Sequence, residues 1–270
     1  MDLNKLIETI PLAKKAAVLN FDDCGLIAFD KGSGLMSHPN PNIPNAENHP
    51  FVRARYNFKE EYYSWQLSEN ERARLYLINR LDSPTSGVIL AAFSEEVALA
   101  AKQSFKEKKA QKTYFAICKG KNPAKVGEWC DFLDVKKLGN FVRGQIAKHG
   151  PIKAVAKFEF VRSDANKLGL SLIKLQPLTG RTHQLRIQCA KHNMPIVGDQ
   201  TYGNFAVNRE IRRVTSIPRM FLHCAATKIE FDLGSRHITF EAKSKLPDSF
   251  GAILDYNGIF ILKSRKAQNA

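Results

Sequence analysis

Residues 86–118 read SGVILAAFSEEVALAAKQSFKEKKAQKTYFAIC, and their periodicity decides the fold class. The run from Ser86 to Phe93 is continuously apolar, as in a strand buried on both faces. Ser94 then supplies an N-cap oxygen, with Glu95 and Glu96 in the first turn, where the helix dipole favours acids. Val97, Ala101 and Phe105 recur at helical spacing, which predicts a helix running to about Lys109. KTYFAIC at 112–118 reads as a returning strand.

Working outward, strand formers recur on both sides. Upstream, AVLNF (17–21) and GLIAFDK (25–31) flank turn residues at Asp22–Gly25. Residues 1–16 read as a short helical lead-in, and Ser37–Asn48, dense in Pro and Asn, as a loop. Downstream, AVAKFEFV (154–161) and LGLSLIKL (168–175) alternate around a turn at Ser163–Asn166, predicting an antiparallel hairpin. RTHQLRIQCAKHN (181–193) reads as a helix with a mixed charged and apolar face. TKIEF and HITFEA predict a last hairpin, and the tail KSRKAQNA reads as mobile. Strands and helices occur without strict βαβ alternation. The expected class is therefore α+β, with a mixed, mostly antiparallel central sheet flanked by helices and loops.

The 270 residues carry 44% hydrophobic and 25% charged side chains, ordinary for a globular chain that needs no disulfide or metal staple. The charge balance narrows the partners. Lys and Arg number 41 against 26 acids, a formal charge of +15, which points to nucleic acid ahead of an acidic membrane or protein. Seven Lys fall in residues 102–121 against Glu107 alone, and Arg209, Arg212, Arg213 and Arg219 stand against Glu210 alone. A solvated face explains either cluster by itself; two of them beside polar motifs favour a surface that tracks RNA. No segment approaches the length of a membrane span, and the N-terminus does not read as a secretory signal. The five cysteines (24, 118, 130, 189 and 224) are odd in number and lack CxxC spacing. They read as free thiols in a reducing compartment, so the expected location is cytoplasmic.

Two polar constellations carry chemistry. Asn79–Gly87, NRLDSPTSG, leads into the buried strand. Asp82 is there either as an Asx-turn residue or as a carboxylate held at a rigid strand mouth. Pro177–Arg186, PLTGRTHQLR, sets two Arg, a His and a Gln around a helix start, where anions are attracted. His183, Cys189 and His192 lack metal-ligand spacing, so no metal is expected.

Arg80–Gly87, Lys112–Tyr114, Thr179–Arg186 and Pro195–Gly203 stand in an order and spacing that resemble the RluA-type pseudouridine synthases. Asp30–Leu35 and Leu222–His223 are similar to two further family elements. Asn79 and Gly32 depart from the pattern, where the family usually carries His and Pro. The resemblance covers residues 17–250, implying a catalytic domain there, an N-terminal extension at 1–16 and a C-terminal segment at 251–270. It implies the pseudouridine synthase fold and isomerisation of a uridine in rRNA or tRNA, with no cofactor. Asp82 is then the catalytic carboxylate, Arg186 its expected partner, and Tyr114 the ring that packs on the flipped uracil. Arg80, Thr85, Arg181, His183 and Gln184 are implied as RNA-binding or loop-shaping residues. With only about sixteen residues ahead of the domain, no separate RNA-binding domain is expected to precede it, and the default assembly is a monomer. A non-catalytic RNA-binding protein would explain the charge but not the placement of Asp82 and Tyr114. A phosphate-handling enzyme is disfavoured because no GxxxxGK[ST] loop or acidic magnesium cluster is present.

Overall fold

The computed structural model describes residues 2–44, 48–120, 124–138, 141–146, 152–165 and 168–256, excepting the side chains of 135–138 and 141–146. The chain divides into two compact units, Met1–Lys112 with Cys224–Lys245, and Thr113–His223 with Leu246–Ala270.

The first unit holds helices α1 (Leu3–Glu8) and α2 (Glu95–Lys106) and strands β1 (Ala16–Phe21), β2 (Leu26–Lys31), β3 (Arg55–Asn57), β4 (Tyr62–Ser68), β5 (Glu71–Leu77) and β6 (Ser86–Ala92). Most of the hairpin β12 (Leu222–Leu233) and β13 (Arg236–Lys243) also belongs to it. All seven β6 residues are buried, as the apolar run predicts. β6 pairs antiparallel with β2 and, at its end, with β5, and β5–β4–β3 continue as an antiparallel meander. The predicted cap forms, with Ser94 Oγ accepting from Val97 N at 3.2 Å, and α2 ends at Lys106. Phe29, Phe51, Tyr63, Trp65, Leu75 and Ile89 fill the core. Each such side chain contributes roughly 1.5–3 kcal/mol relative to exposure. The helical lead-in is shorter than expected, and Ile10 and Ala13 beyond it join the same core.

Gly87 shows why this strand starts with glycine. Its φ is +110°, and a Cβ there would lie 2.1 Å from the Cys224 carbonyl oxygen. No L side chain fits that conformation or that space.

The second unit holds most of β7 (Gln111–Lys119), with β8 (Val126–Leu138), β9 (Phe141–Ile146), β10 (Ile152–Ser163), β11 (Leu170–Pro177), α3 (Gln184–Lys191), α4 (Phe205–Thr215) and α5 (Asp248–Leu254). Its strands run in the order β7–β11–β10–β8–β9, each pair antiparallel. The predicted hairpins β10–β11 and β12–β13 are both present. Ile117, Leu172, Val197, Phe221, Phe250 and Ile253 form a core. The α+β class and the mostly antiparallel sheet are as expected.

The helix over 181–193 is corrected by the structure. It begins at Gln184, and Gln184 through Cys189 are all buried, so it has no charged outer face along most of its length. Gln188 donates to Asp131 Oδ2 at 2.8 Å and Gln184 to Val155 O at 3.0 Å, which makes burial of these polar groups tolerable. Lys121, Asn166 and the tail KSRKAQNA lie outside the described residues.

Candidate functional site

In the first unit, the loop before β6 is held by the segment after β2. Ser37 Oγ donates to Leu81 O at 2.8 Å and accepts from Leu81 N at 2.9 Å. Gly34 N donates to Ser83 O at 2.9 Å, and Ser83 Oγ returns a bond to Gly34 O at 3.1 Å. Ser33 Oγ donates to Pro84 O at 2.8 Å. Lys31, fully buried, sends its ammonium to Gly32 O (3.2 Å), Leu35 O (2.6 Å) and Ser83 O (3.2 Å). Six of these bonds fall on residues 81, 83 and 84, so the backbone on both sides of Asp82 is fixed. Thr85 N donates to Asp82 O at 3.0 Å, closing the turn. Asp82 itself is half-buried. A carboxylate presented by so constrained a loop is pre-organised for chemistry.

Arg80 is exposed, with Nη1 3.8 Å from Glu61 and 3.4 Å from His38 Nε2. Glu61 also accepts from Lys102 at 2.8 Å, and this bond holds its carboxyl below the usual range. Asn79 Oδ1 accepts from Leu90 N at 2.7 Å. Asn79 thus ties the β5–β6 connection to β6. Burial pushes the Lys112 ammonium down from its ordinary value.

Because Lys31 spends its donors on three carbonyls, Lys31→Met is expected to leave these acceptors without the ammonium. A loss of about 3 kcal/mol in urea unfolding is expected. Full retention of stability would show that the clamp contributes nothing.

In the second unit, the polar turn leads into α3. Gln184 Oε1 accepts from Thr179 Oγ1 at 2.7 Å and from Arg181 N at 3.1 Å, so this side chain shapes the turn from inside. His183 enters the helix in the left-handed region, φ +54°, uncommon for a non-glycine residue. Its Nδ1 lies 3.0 Å from the Tyr202 hydroxyl. Arg186 is buried and makes a two-pronged ion pair with Asp199, Nε–Oδ2 2.7 Å and Nη2–Oδ1 2.9 Å. Thr201 N and Tyr202 N also donate to Asp199 Oδ1, at 2.8 and 3.0 Å. Burial pushes the Asp199 carboxyl up, but Arg186 and these amides outweigh it and hold it below its ordinary value. The Arg186 guanidinium also sits 5.1 Å from the Tyr202 ring centre. Tyr114 is buried in β7, opposite Leu175 of β11.

The structure thus gathers Arg80, Asp82 and Thr85 on one clamped loop, and Arg181, His183, Gln184 and Arg186 around the start of α3. Sequence reasoning assigned no role to Lys31, Ser33, Ser37, Asp199 or Tyr202. Asp199 and Tyr202 lie in the Pro195–Gly203 motif, and Lys31 in the early turn, so the motifs contained the signal without the partners. Among the described residues, no group of three or more His, Cys, Asp or Glu is placed to hold a metal ion. No described helix is long and apolar enough to cross a membrane.

The loop before β6 and the start of α3 both fall within residues 25–191, which match the model of the RNA pseudouridylate synthase family. The chain belongs to that family. Among its curated relatives are the ribosomal large subunit pseudouridine synthase D of Borreliella burgdorferi, 30% identical over 79% of this chain, and the tRNA pseudouridine synthase C of Pectobacterium carotovorum, 28% identical over 84%. The chain spans 60% and 59% of those two proteins. It is also 28% identical to the dual-specificity RNA pseudouridine synthase RluA of Haemophilus ducreyi, covering 83% of this chain and 91% of that one. The fold is similar to human RNA pseudouridylate synthase domain containing 1, with a TM-score of 0.63, 19% identity, and coverage of 93% of this chain and 95% of that one.

Proposed function

We propose that the protein isomerises uridine to pseudouridine in a structured RNA, rRNA or tRNA, with Asp82 as its essential carboxylate. The observation that carries this reading is the clamp on residues 81, 83 and 84, which fixes the backbone around a half-buried carboxylate at the mouth of β6.

The reaction breaks the bond from uracil N1 to ribose C1′, rotates the base and joins C5 to C1′. The C5 proton leaves and N1 regains one, so atoms balance without a redox partner or second substrate. The reacting atoms lie inside stacked RNA, and flipping the nucleotide out costs a few kcal/mol. Phosphate contacts by the +15 chain offset that cost.

Asp82 acts at the ribose, either attacking the sugar or removing a sugar proton to give a glycal-like intermediate. Tyr114 packs on the flipped uracil. Arg186, oriented by Asp199, is the third catalytic residue. Arg80 and Arg181 are exposed and suited to backbone phosphate or to the space the base leaves. His183, Thr85 and Gln184 set the shape of the loops that meet RNA. Arg209, Arg212 and Arg213 project from α4 into solvent and extend the phosphate-binding surface. The working assembly is a monomer in the cytoplasm, without membrane partners or cofactor.

The direct test incubates purified protein with unmodified rRNA and tRNA carrying tritium at uridine C5. Tritium release to water with matching pseudouridine in the digest is expected. RNA binding without release would make the protein a binder rather than an isomerase.

A further inference from the structure

The β3–β4–β5 meander has a second face that the reaction does not use. Side chains alternate across a strand, so one face of these strands enters the core through Tyr63, Trp65 and Leu75. The other face is open. Arg55, Ser64 and Arg74 lie directly opposite one another across the three strands, and Asn57 and Tyr62 form the next row. Arg72 extends β5 one row further. These groups border a groove of about 790 Å³.

Its chemistry is specific. The Arg74 guanidinium lies 5.2 Å from the Tyr62 ring centre, and Tyr62 packs on Tyr76 at 5.0 Å. Arg74 packs on this aromatic pair, and Arg55 and Arg72 line the same groove. The acids of this region, Glu60, Glu61, Glu69 and Glu71, lie in or beside the turns; Glu60 acts on Arg74 from there, but among the described residues no ion pair joins Arg55, Arg72 or Arg74 to an acid. At the rim, Phe58 is 51% exposed and contacts Tyr56 at 5.1 Å. Tyr56 stacks on His38 at 5.3 Å and 13°, and His38 Nε2 is 3.4 Å from Arg80. The groove therefore reaches, through touching side chains, a residue two positions from Asp82.

We infer that this face binds an unpaired RNA segment flanking the target uridine, with phosphates on Arg55, Arg72 and Arg74 and bases stacked on Tyr62 and Phe58. The inference rests on the reading of the protein as an RNA isomerase and adds where the flanking strand runs. Duplex RNA keeps its bases stacked internally and offers mostly phosphate and 2′-hydroxyl to a protein. Only unpaired bases use exposed rings, and a positive groove with aromatic platforms is the form that single-strand binding takes. A purely electrostatic patch would not need the rings.

The test measures binding of fluorescein-labelled single-stranded oligouridylate by anisotropy, with an RNA duplex and anionic phospholipid vesicles as alternative ligands. Tritium release is followed in parallel. The Arg72→Ala/Arg74→Ala double variant should bind the oligonucleotide about ten-fold more weakly, with a salt slope about 1.4 smaller. Phe58→Ala should lose about five-fold or more with its salt slope unchanged. All three side chains are exposed, so unchanged melting midpoints should show that the fold is intact. Wild-type affinity in both variants, no binding by the wild type, equal losses on the duplex, or a preference for vesicles would each overturn the inference. If wild type releases tritium while the variants bind normally, the groove is wrong and the isomerase stands. If binding falls as expected but no tritium is released, the groove stands and the isomerase reading fails.

Discussion

Asp82→Asn is expected to lower tritium release from uridine-labelled RNA by about ten-thousand-fold or more, the scale seen when a residue essential to a covalent or proton-transfer step is removed. Asn preserves shape and polarity but can neither attack the sugar nor take a proton from it. The loop should hold its form, because the clamp is made by Lys31, Ser33, Gly34 and Ser37 with the backbone and hydroxyl groups of residues 81, 83 and 84. The melting midpoint is therefore expected to stay close to wild type while turnover disappears. A variant that kept a tenth of the activity would remove Asp82 from the chemistry. A variant that lost activity and folding together would say nothing about catalysis, which is why Asn is preferred to a larger change.

Asp199→Ala is expected to cost about 3–5 kcal/mol of stability, the penalty for leaving one partner of a buried ion pair without the other. Arg186 and Asp199 side chains are 6% and 1% exposed, so the pair is removed from bulk water. The amides of Thr201 and Tyr202 would lose their acceptor as well. The same pair gives a pH signature. A carboxyl held below its ordinary value in the folded state stabilises the protein above the unfolded value, about 3.9. That stabilisation is lost as pH falls through the lower folded value. Urea midpoints for wild type should therefore drop on acidification below about pH 4, and the drop should be smaller in Asp199→Asn. Equal acid sensitivity in both proteins would mean that Asp199 is not the group responsible.

Legibility in the sequence followed how local each signal is. The β6 run, the Ser94 cap and the β10–β11 and β12–β13 hairpins rest on patterns within a dozen or so residues, and all are present. The β3–β5 meander went unread although its alternation was there: Tyr63, Trp65 and Leu67, then Ala73, Leu75 and Leu77, point to one side. Arg72 and Arg74, which alternate with Ala73 and Leu75, line the open groove. The β8–β9 hairpin and the α4 helix were not read either. α3 misled for a different reason. Its Arg and Gln residues suggest a solvated face until their partners are known, and those partners lie 13 residues away at Asp199 and 57 away at Asp131. No local period carries that information. The motifs named the loops around Asp82 and Arg186, but Lys31 and Asp199 acquired roles only through hydrogen bonds from distant positions.

The measurement that bears most directly on the proposed activity is a transcriptome-wide map of pseudouridine in cells that make this protein, comparing wild type with Asp82→Ala in the same background. Discrete sites that vanish in the variant and return when wild-type protein is restored would establish the isomerase and name its RNA together. An unchanged map, with purified wild-type protein also releasing no tritium from those RNAs, would contradict the assignment of Asp82 as the catalytic carboxylate.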